Sequence, residues 1–335
     1  MVSAGPDLRS PTASETGGAP TRRRRPPLPR MSGAPRRALA AALVLLLVAA
    51  VSTRSPLIGT GSHWIRYQTD GINYIPDLPG GAQYVSLGDS YAAAGSFRKR
   101  LPLDFCARNA DDLGHVLAER LQPVSFTDRA CSGATLDDLT VPSQKIENAP
   151  QIYGIGPFTR LITVLAGANS LGFGGVITHC FVTPDARCDE YARTNLPGSQ
   201  GWAFVRAQYI ATLQMLHRYA PLAAIVVVGY LPLFPLTGTI DPGCLAGAKI
   251  PPANVDAWRV WYLGLEGLVH DVAAHLHLVY IAPPTDHAAC TPHPYVALQG
   301  VDLRGNGPDA YGLHPTVTGQ RAMGDLIEDT LRGRR

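Results

Sequence analysis

Four short segments of this chain carry side chains suited to acyl transfer. The first is Ser86-Leu87-Gly88-Asp89-Ser90-Tyr91, at the end of an apolar run. A serine at the carboxyl end of a parallel strand, followed by a turn, sits where open α/β sheets hold their ligands. Gly-Asp-Ser is also an ordinary turn tripeptide, so it decides nothing alone. The second segment is Cys131-Ser132-Gly133-Ala134-Thr135, where a glycine can present an unobstructed backbone N–H to a developing oxyanion. The third is Gly167-Ala168-Asn169-Ser170-Leu171-Gly172, whose Asn169 amide can supply another donor to the same charge. The fourth is Tyr311-Gly312-Leu313-His314-Pro315, where His314 can reach Ser90 as general base. Each segment has a bland reading as a turn or a helix-preceding residue. Their shared chain order, with three of them at strand ends, is far more specific than any one.

In these segments the chain resembles the SGNH hydrolases, also called the GDSL esterases and lipases. Gly88-Asp89-Ser90 matches the first block, with Ser90 as nucleophile. Gly133 matches the second block, Gly167-x-Asn169 the third, and His314-Pro315 the last. The resemblance spans roughly residues 82–330. It implies a flavodoxin-like α/β fold, a three-layer αβα sandwich around a central parallel sheet of about five strands. It also implies an oxyanion hole made of the Ser90 N–H, the Gly133 N–H and the Asn169 side chain.

Two positions depart from the family pattern. The third block usually ends in Asp, and here it ends in Ser170. The usual Asp three residues before the histidine is Tyr311. An acid there would orient the imidazole and stabilise its cation. The secreted Streptomyces-type branch of the family orients its histidine through a backbone carbonyl and carries three disulfides. A Ser90–His314 dyad is therefore expected, with the carbonyl of Tyr311 as orienter and Asp309 as the weaker candidate. The expected reaction is hydrolysis of a carboxylic ester, small or lipid, through an acyl-enzyme, with no cofactor and no metal.

Three other readings compete. Residues 168–172 lie one residue from a G-x-S-x-G nucleophile elbow, which would make Ser170 the nucleophile of an α/β-hydrolase-like esterase. An elbow needs a helix directly after its serine, and residues 172–182 are poor helix sequence. A decayed site on an envelope binding protein is the second alternative, though a binder has no need of Ser90, Asn169 and His314 together. A metal site is the third. His270, His275 and His277 lack the i, i+4 spacing of a ligand pair, and His217, His287 and His293 read as surface or core residues.

The elements that must position these residues follow from the apolar pattern. Strands are expected at Gln83–Leu87, Val124–Thr127, Leu161–Ala166, Ala223–Val228 and Leu278–Ile281, each followed by a Gly- or Pro-containing turn. Helices are expected at Asn109–Leu121, Trp202–Tyr219, Asn254–Leu276 and Val317–Leu331, with Asn109, Asn254 and Thr316 as N-caps. Alternating strands and helices imply a parallel sheet covered on both faces. Residues 230–252, with five Pro, read as a long loop. This loop and 283–308 are the expected pocket walls. Trp258 and Trp261 read as core.

The chain has 335 residues, 46% hydrophobic and 16% charged, which excludes disorder along its whole length. It has one long apolar run, which excludes a polytopic membrane protein. The net charge of +3 hides an asymmetry: residues 1–37 hold eight Arg against one Asp and one Glu, so the remainder carries −3. No basic stripe suggests a nucleic-acid partner. Residues 1–51 are read as a basic region followed by a signal peptide or anchor. The apolar run Ala38–Val51 has 14 residues, short for a spanning helix, and Val48-Ala49-Ala50 offers a cleavage site. Arg36-Arg37 permits a twin-arginine signal, and Met31 is an alternative start. Residues 52–81 read as a mature N-terminal arm and 82–332 as the hydrolase domain. Export, with release or retention at the membrane or cell-wall surface, is the expected fate. All six cysteines follow the leader, which argues for three disulfides over zinc, since no C-x-x-C pair is present. Sequential pairing, Cys106–Cys131, Cys180–Cys188 and Cys244–Cys290, closes the shortest loops.

Overall fold

The computed structural model describes residues 80–102, 104–141, 150–300 and 307–333. The leader at 1–51 and the arm through residue 79 lie outside the described residues. Five strands form one sheet: Tyr84–Gly88 (β1), Phe126–Asp128 (β2), Leu161–Leu165 (β3), Ala224–Val228 (β4) and Val279–Ile281 (β5). Their order is β2-β1-β3-β4-β5 and every pairing is parallel. All five residues of β1 and of β3 are buried, which is why both read as unbroken apolar runs and not as alternation. The helices cover both faces as a three-layer αβα sandwich.

The chain steps from β1 to β2 on one side, then returns to place β3 on the other. Connections leaving β1 and β3 therefore diverge, and a crevice opens outside their carboxyl ends. Ser90 follows β1 and Asn169 follows β3, so the crevice is where two of the four chemical segments fall.

Nine α-helices occur among the described residues: Ser90–Ala93 (α1), Leu113–Leu121 (α2), Leu136–Thr140 (α3), Phe173–Ile177 (α4), Cys188–Thr194 (α5), Gln200–Tyr219 (α6), Pro242–Ala248 (α7), Pro252–His275 (α8) and Val317–Gly333 (α9). A two-stranded antiparallel ribbon, Val296–Ala297 (β6) with His314–Pro315 (β7), stands apart from the main sheet. Helices α2 and α9 pack together, as do α6 and α8. Trp258 and Trp261 on α8 are core residues, 2% and 1% exposed. The Trp261 indole N–H donates to the Leu171 carbonyl at 3.0 Å, which satisfies its one polar atom. No helix among the described residues is long and apolar enough to cross a membrane.

Several expected boundaries move, each for a local reason. Helix α2 is capped by Asp112, which accepts the His115 N–H at 3.0 Å, and not by Asn109. Asn109 is instead fully buried against the loop after Ser90. Helix α8 starts at Pro252, a residue already fitted to a first turn, while Asn254 donates its side-chain amide to the Cys180 carbonyl. Residues 230–252 are not one loop: Asp241 caps α7 within it. Residues 172–182 are helical, as α4 followed by a single π-turn at Thr178–Val182, despite poor intrinsic propensity. Tertiary packing decides that segment, since Val176 and Cys180 are wholly buried.

The three disulfides pair in sequence order: Cys106–Cys131, Cys180–Cys188 and Cys244–Cys290. They close loops of 25, 8 and 46 residues. Loop-closure entropy then orders their worth, at about 4 kcal/mol for Cys244–Cys290, about 3.5 for Cys106–Cys131 and about 2.5 for Cys180–Cys188. Replacing each pair by alanine and following urea unfolding is expected to show losses in that order. A larger loss for the shortest loop would mean that local packing, not chain entropy, sets their value.

Candidate active site

The turn after β1 is built by exclusion. Gly88 approaches β3 so closely that a Cβ would lie 2.4 Å from the Leu165 carbonyl oxygen. Only glycine fits there. Asp89 then extends its N–H to the same carbonyl at 3.0 Å, and Ser90 opens α1. The buried Gln151 side chain grips both backbone groups of Gly88, accepting its N–H and donating to its C=O, each at 2.8 Å. From α9, the Gln320 amide donates to the carbonyls of Tyr91 and Ala94 at 2.8 and 2.5 Å. Neither glutamine carries a motif in the sequence; the only clue is a Gln in an otherwise apolar stripe of α9.

Asp89 is buried beneath this turn. One carboxylate oxygen accepts the Tyr91 N–H at 2.9 Å and caps α1. The other accepts the Tyr230 hydroxyl at 2.5 Å. Burial pushes the Asp89 carboxyl up to about 7, against the opposing pull of those two donors. The Tyr230 oxygen in turn accepts the Ala168 N–H at 3.1 Å. One hydroxyl thus joins the residue before Ser90 to the residue before Asn169. Tyr230 follows β4 by two residues, and its place at a strand's carboxyl end is the signal that could have found it.

The second segment lies beside Gly88. The Cys131 N–H donates to the Gly88 carbonyl at 3.0 Å, and Cys131 is tied covalently to Cys106. Gly133 takes φ +79°, a conformation that favours glycine. The Asn169 amide donates to the Ala134 carbonyl at 2.8 Å, which fixes that side chain next to Gly133.

His314 arrives on the β6–β7 ribbon, where Ala297 pairs with it. Its Nδ1 lies 2.7 Å from the Gly312 carbonyl oxygen. A carbonyl only accepts, so Nδ1 carries the proton and Nε2 keeps its lone pair. The orienting carbonyl is therefore that of Gly312, not of Tyr311. Leu313 has φ +62°, and this left-handed residue lets the Gly312 carbonyl face the His314 ring. Asp309 does not serve either. Its carboxylate accepts from the Ser96 hydroxyl and from the Arg98 N–H, the latter at 2.9 Å. Burial lowers the His314 pKa below the ordinary histidine value, outweighing the Gly312 carbonyl, which favours the cation.

Ser90, Gly133 and His314 line one cavity of about 320 Å³, together with Ala94, Ala107, Ser132 and Tyr311. Asn169 is not among the lining residues; its amide is held on the Ala134 carbonyl, one residue after Gly133. Ser170 is elsewhere: its hydroxyl accepts the Leu136 N–H at 2.9 Å. A helix does follow Ser170, as a nucleophile elbow needs, but the Ser170 hydroxyl is engaged by the Leu136 N–H. The expected pocket walls, 230–252 and 283–308, line a different cavity, of about 360 Å³, around Cys244–Cys290 and Val296 to Gln299. Neither Trp258 nor Trp261 reaches the Ser90 cavity. Among the described residues, Asp112, His115 and Asp128 alone bring three metal-type ligand atoms within 4.8 Å. There His115 Nδ1 lies 2.8 Å from the Asp112 carboxylate, which pushes the imidazole up to about 9 against the opposing effect of burial.

The family model of the GDSL-like lipases and acylhydrolases matches residues 86–322. The chain belongs to that family, and it is an ester hydrolase. Among solved structures, the extracellular lipase of Streptomyces rimosus superposes with a TM-score of 0.60 at 22% identity, over 74% of this chain and 99% of that one, a likeness of fold. Phospholipase A1 of Streptomyces albidoflavus gives a TM-score of 0.60 at 26% identity, over 76% and 99%. No curated protein matches the chain.

Removing the Tyr230 hydroxyl tests the bridge between the two turns. Tyr230→Phe strands a buried N–H and a buried carboxyl, at a cost of about 1–3 kcal/mol in stability. Ester turnover is expected to fall at least tenfold with KM nearly unchanged, because Asp89 and Ala168 touch no substrate. An unaltered kcat in a folded Tyr230→Phe protein would show that the bridge has no bearing on the site.

Proposed function

We propose that the protein is an exported serine esterase or lipase in which Ser90 and His314 act as a dyad through an acyl-enzyme. The supporting observation is the His314 imidazole, neutral and locked by Gly312, in the cavity that also holds Ser90 and Gly133. Nε2 takes the Ser90 proton as Oγ attacks the ester carbonyl carbon. The carbonyl oxygen gains charge and is met by the Ser90 N–H, the Gly133 N–H and the Asn169 amide. Nε2 then protonates the leaving alkoxide, and the acyl-enzyme is cleaved by water activated at the same nitrogen. Gly312 supplies orientation without charge, so no side-chain acid shares the proton. Residues 82–332 form the catalytic domain in this reading, and the segment before it directs export; three disulfides suit an oxidising compartment. The likeness to a phospholipase A1 makes lipid esters the substrates to try beside short-chain ones.

Hydrolysis of p-nitrophenyl esters from acetate to palmitate tests the assignment. Ser90→Ala is expected to lower kcat by at least about 10⁴-fold. Asn169→Ala should cost about 10²–10³-fold, the usual worth of one oxyanion donor. Ser170→Ala and Asp309→Ala should stay within a few-fold of wild type. Loss of turnover in folded Asp309→Ala would replace the dyad by a triad; loss only in Ser170→Ala would move the nucleophile.

The pH profile follows from the burial of His314. The active base is the neutral imidazole. Because its pKa lies below the ordinary value of about 6.5, the neutral form survives to lower pH than for an exposed histidine. The acid limb of kcat/KM should therefore have its midpoint below 6.5. A midpoint at or above that value would contradict the buried, carbonyl-held base.

A further inference from the structure

Beside the Ser90 cavity runs a segment that the catalytic reading does not use. Residues Phe97-Arg98-Lys99-Arg100 are all exposed. Phe97 keeps 41% of its surface in solvent and Phe105 keeps 62%. Both phenylalanines flank the cavity mouth. The Phe97 ring lies 5.2 Å from the ring of Tyr311, a lining residue. Phe105 precedes Cys106, whose carbonyl accepts the Ser132 N–H at 2.9 Å, and Ala107 and Ser132 both line the cavity.

The segment opens with a 3-10 turn, Phe97–Lys99, and is hydrogen-bonded to the stretch that follows it. The Leu101 N–H donates to the Arg108 carbonyl at 2.9 Å and the Ala110 N–H to the Lys99 carbonyl at 3.0 Å. Asp104 and Arg108 form a buried ion pair at 3.0 Å beneath it. Cys106–Cys131 fastens that stretch to the loop that carries Gly133. A large aromatic side chain held partly outward leaves much of its apolar surface in water.

The charges on the segment point the same way. The Arg98 and Lys99 side chains are 60% and 57% exposed. Their carboxylate neighbours, Asp309 at 3.7 Å and Asp111 at 3.3 Å, are far less exposed, at 33% and 8%. The outward face is thus cationic, although the chain after residue 37 carries net negative charge. Aromatic side chains beside exposed Lys and Arg are the composition that binds an anionic lipid interface: rings enter the acyl boundary while cations meet headgroup phosphates.

We propose that the face made by Phe97, Arg98, Lys99, Arg100 and Phe105 docks the enzyme on an anionic phospholipid bilayer and brings the Ser90 cavity to the lipid surface. This rests on the esterase reading above and names the surface through which it meets a lipid ester.

Insertion can be read without turnover. Phe105→Trp in the full chain adds an indole at an exposed site, and its emission is taken as the excess over wild type. With phosphatidylglycerol vesicles containing brominated acyl chains, that excess should shift to the blue and be quenched. With phosphatidylcholine vesicles it should not. Raising NaCl to about 0.5 M should largely abolish the effect, as charges screen within a few ångströms there. Arg100→Gln should weaken vesicle binding about five-fold, one interfacial charge's worth, and Phe105→Ser roughly tenfold. Both variants should hydrolyse soluble p-nitrophenyl butyrate at the wild-type rate while losing activity on esters held in anionic vesicles. The fluorescence experiment repeated in a Ser90→Ala background separates docking from chemistry. An unquenched excess emission with vesicles bound overturns the proposal, as does equal quenching on neutral vesicles. Binding to heparin that Phe105→Ser leaves intact, with no quenching in vesicles, would assign the basic run to a soluble polyanion instead.

Discussion

A single tyrosine hydroxyl, that of Tyr230, holds the two halves of the site together. It donates to the buried Asp89 carboxylate and accepts from the Ala168 N–H. A buried carboxyl and a buried amide each need a partner away from water, and one hydroxyl meets both needs because it can donate and accept at once. Tyr230 can do this only if its own backbone is fixed. Helix α8 fixes it: Glu266 accepts the Tyr230 N–H at 2.7 Å, and the Tyr262 hydroxyl donates to the Tyr230 carbonyl at 2.7 Å. Gly229 lets the helix come this near, since a Cβ there would sit 2.5 Å from the Glu266 carboxylate. The chain of cause runs from helix packing to a strand end, and from there to the serine turn.

The histidine belongs to a second frame. It is delivered by a two-residue ribbon outside the main sheet, oriented by its own backbone, and kept neutral by burial. The frames meet where the Tyr91 ring lies 5.6 Å from the His314 ring and where Gln320 of α9 holds the carbonyls of α1. In the proposed dyad the two tasks of an acid are separated: the Gly312 carbonyl orients the ring, and burial holds the imidazole below its ordinary pKa.

Much of this was legible in the chain. All five sheet strands are read within two residues; β1 and β3 show most plainly, because a strand buried on both faces leaves a short, unbroken apolar run. The serine, glycine, asparagine and histidine segments are legible because each combines a chemical side chain with a turn signal. What stays hidden has a physical pattern. Gln151 and Gln320 act through side chains that reach backbone groups distant in sequence, and the sequence marks them at most by a Gln in the apolar stripe of α9. Helix α4 and its π-turn form against propensity because burial of Val176 and Cys180 decides them. The shift of the orienting carbonyl from Tyr311 to Gly312 turns on one positive φ at Leu313, a conformation that the residue type does not announce. The pocket walls were misplaced because a disulfide between two Pro-containing stretches says that they meet, not which cavity they face.

The order in which the pieces occur along the chain has a consequence for the cell that makes the protein. Ser90 and its supporting turn come early, whereas His314 and Gln320 come more than two hundred residues later, near the end. During synthesis the chain therefore carries Ser90 long before His314, the base proposed for it, exists. The ribbon that presents the histidine is short, and its pairing closes late. A truncated or half-made molecule has a serine in a turn and no means of using it. An ester hydrolase built in this order stays inactive inside its maker until the last helix has docked.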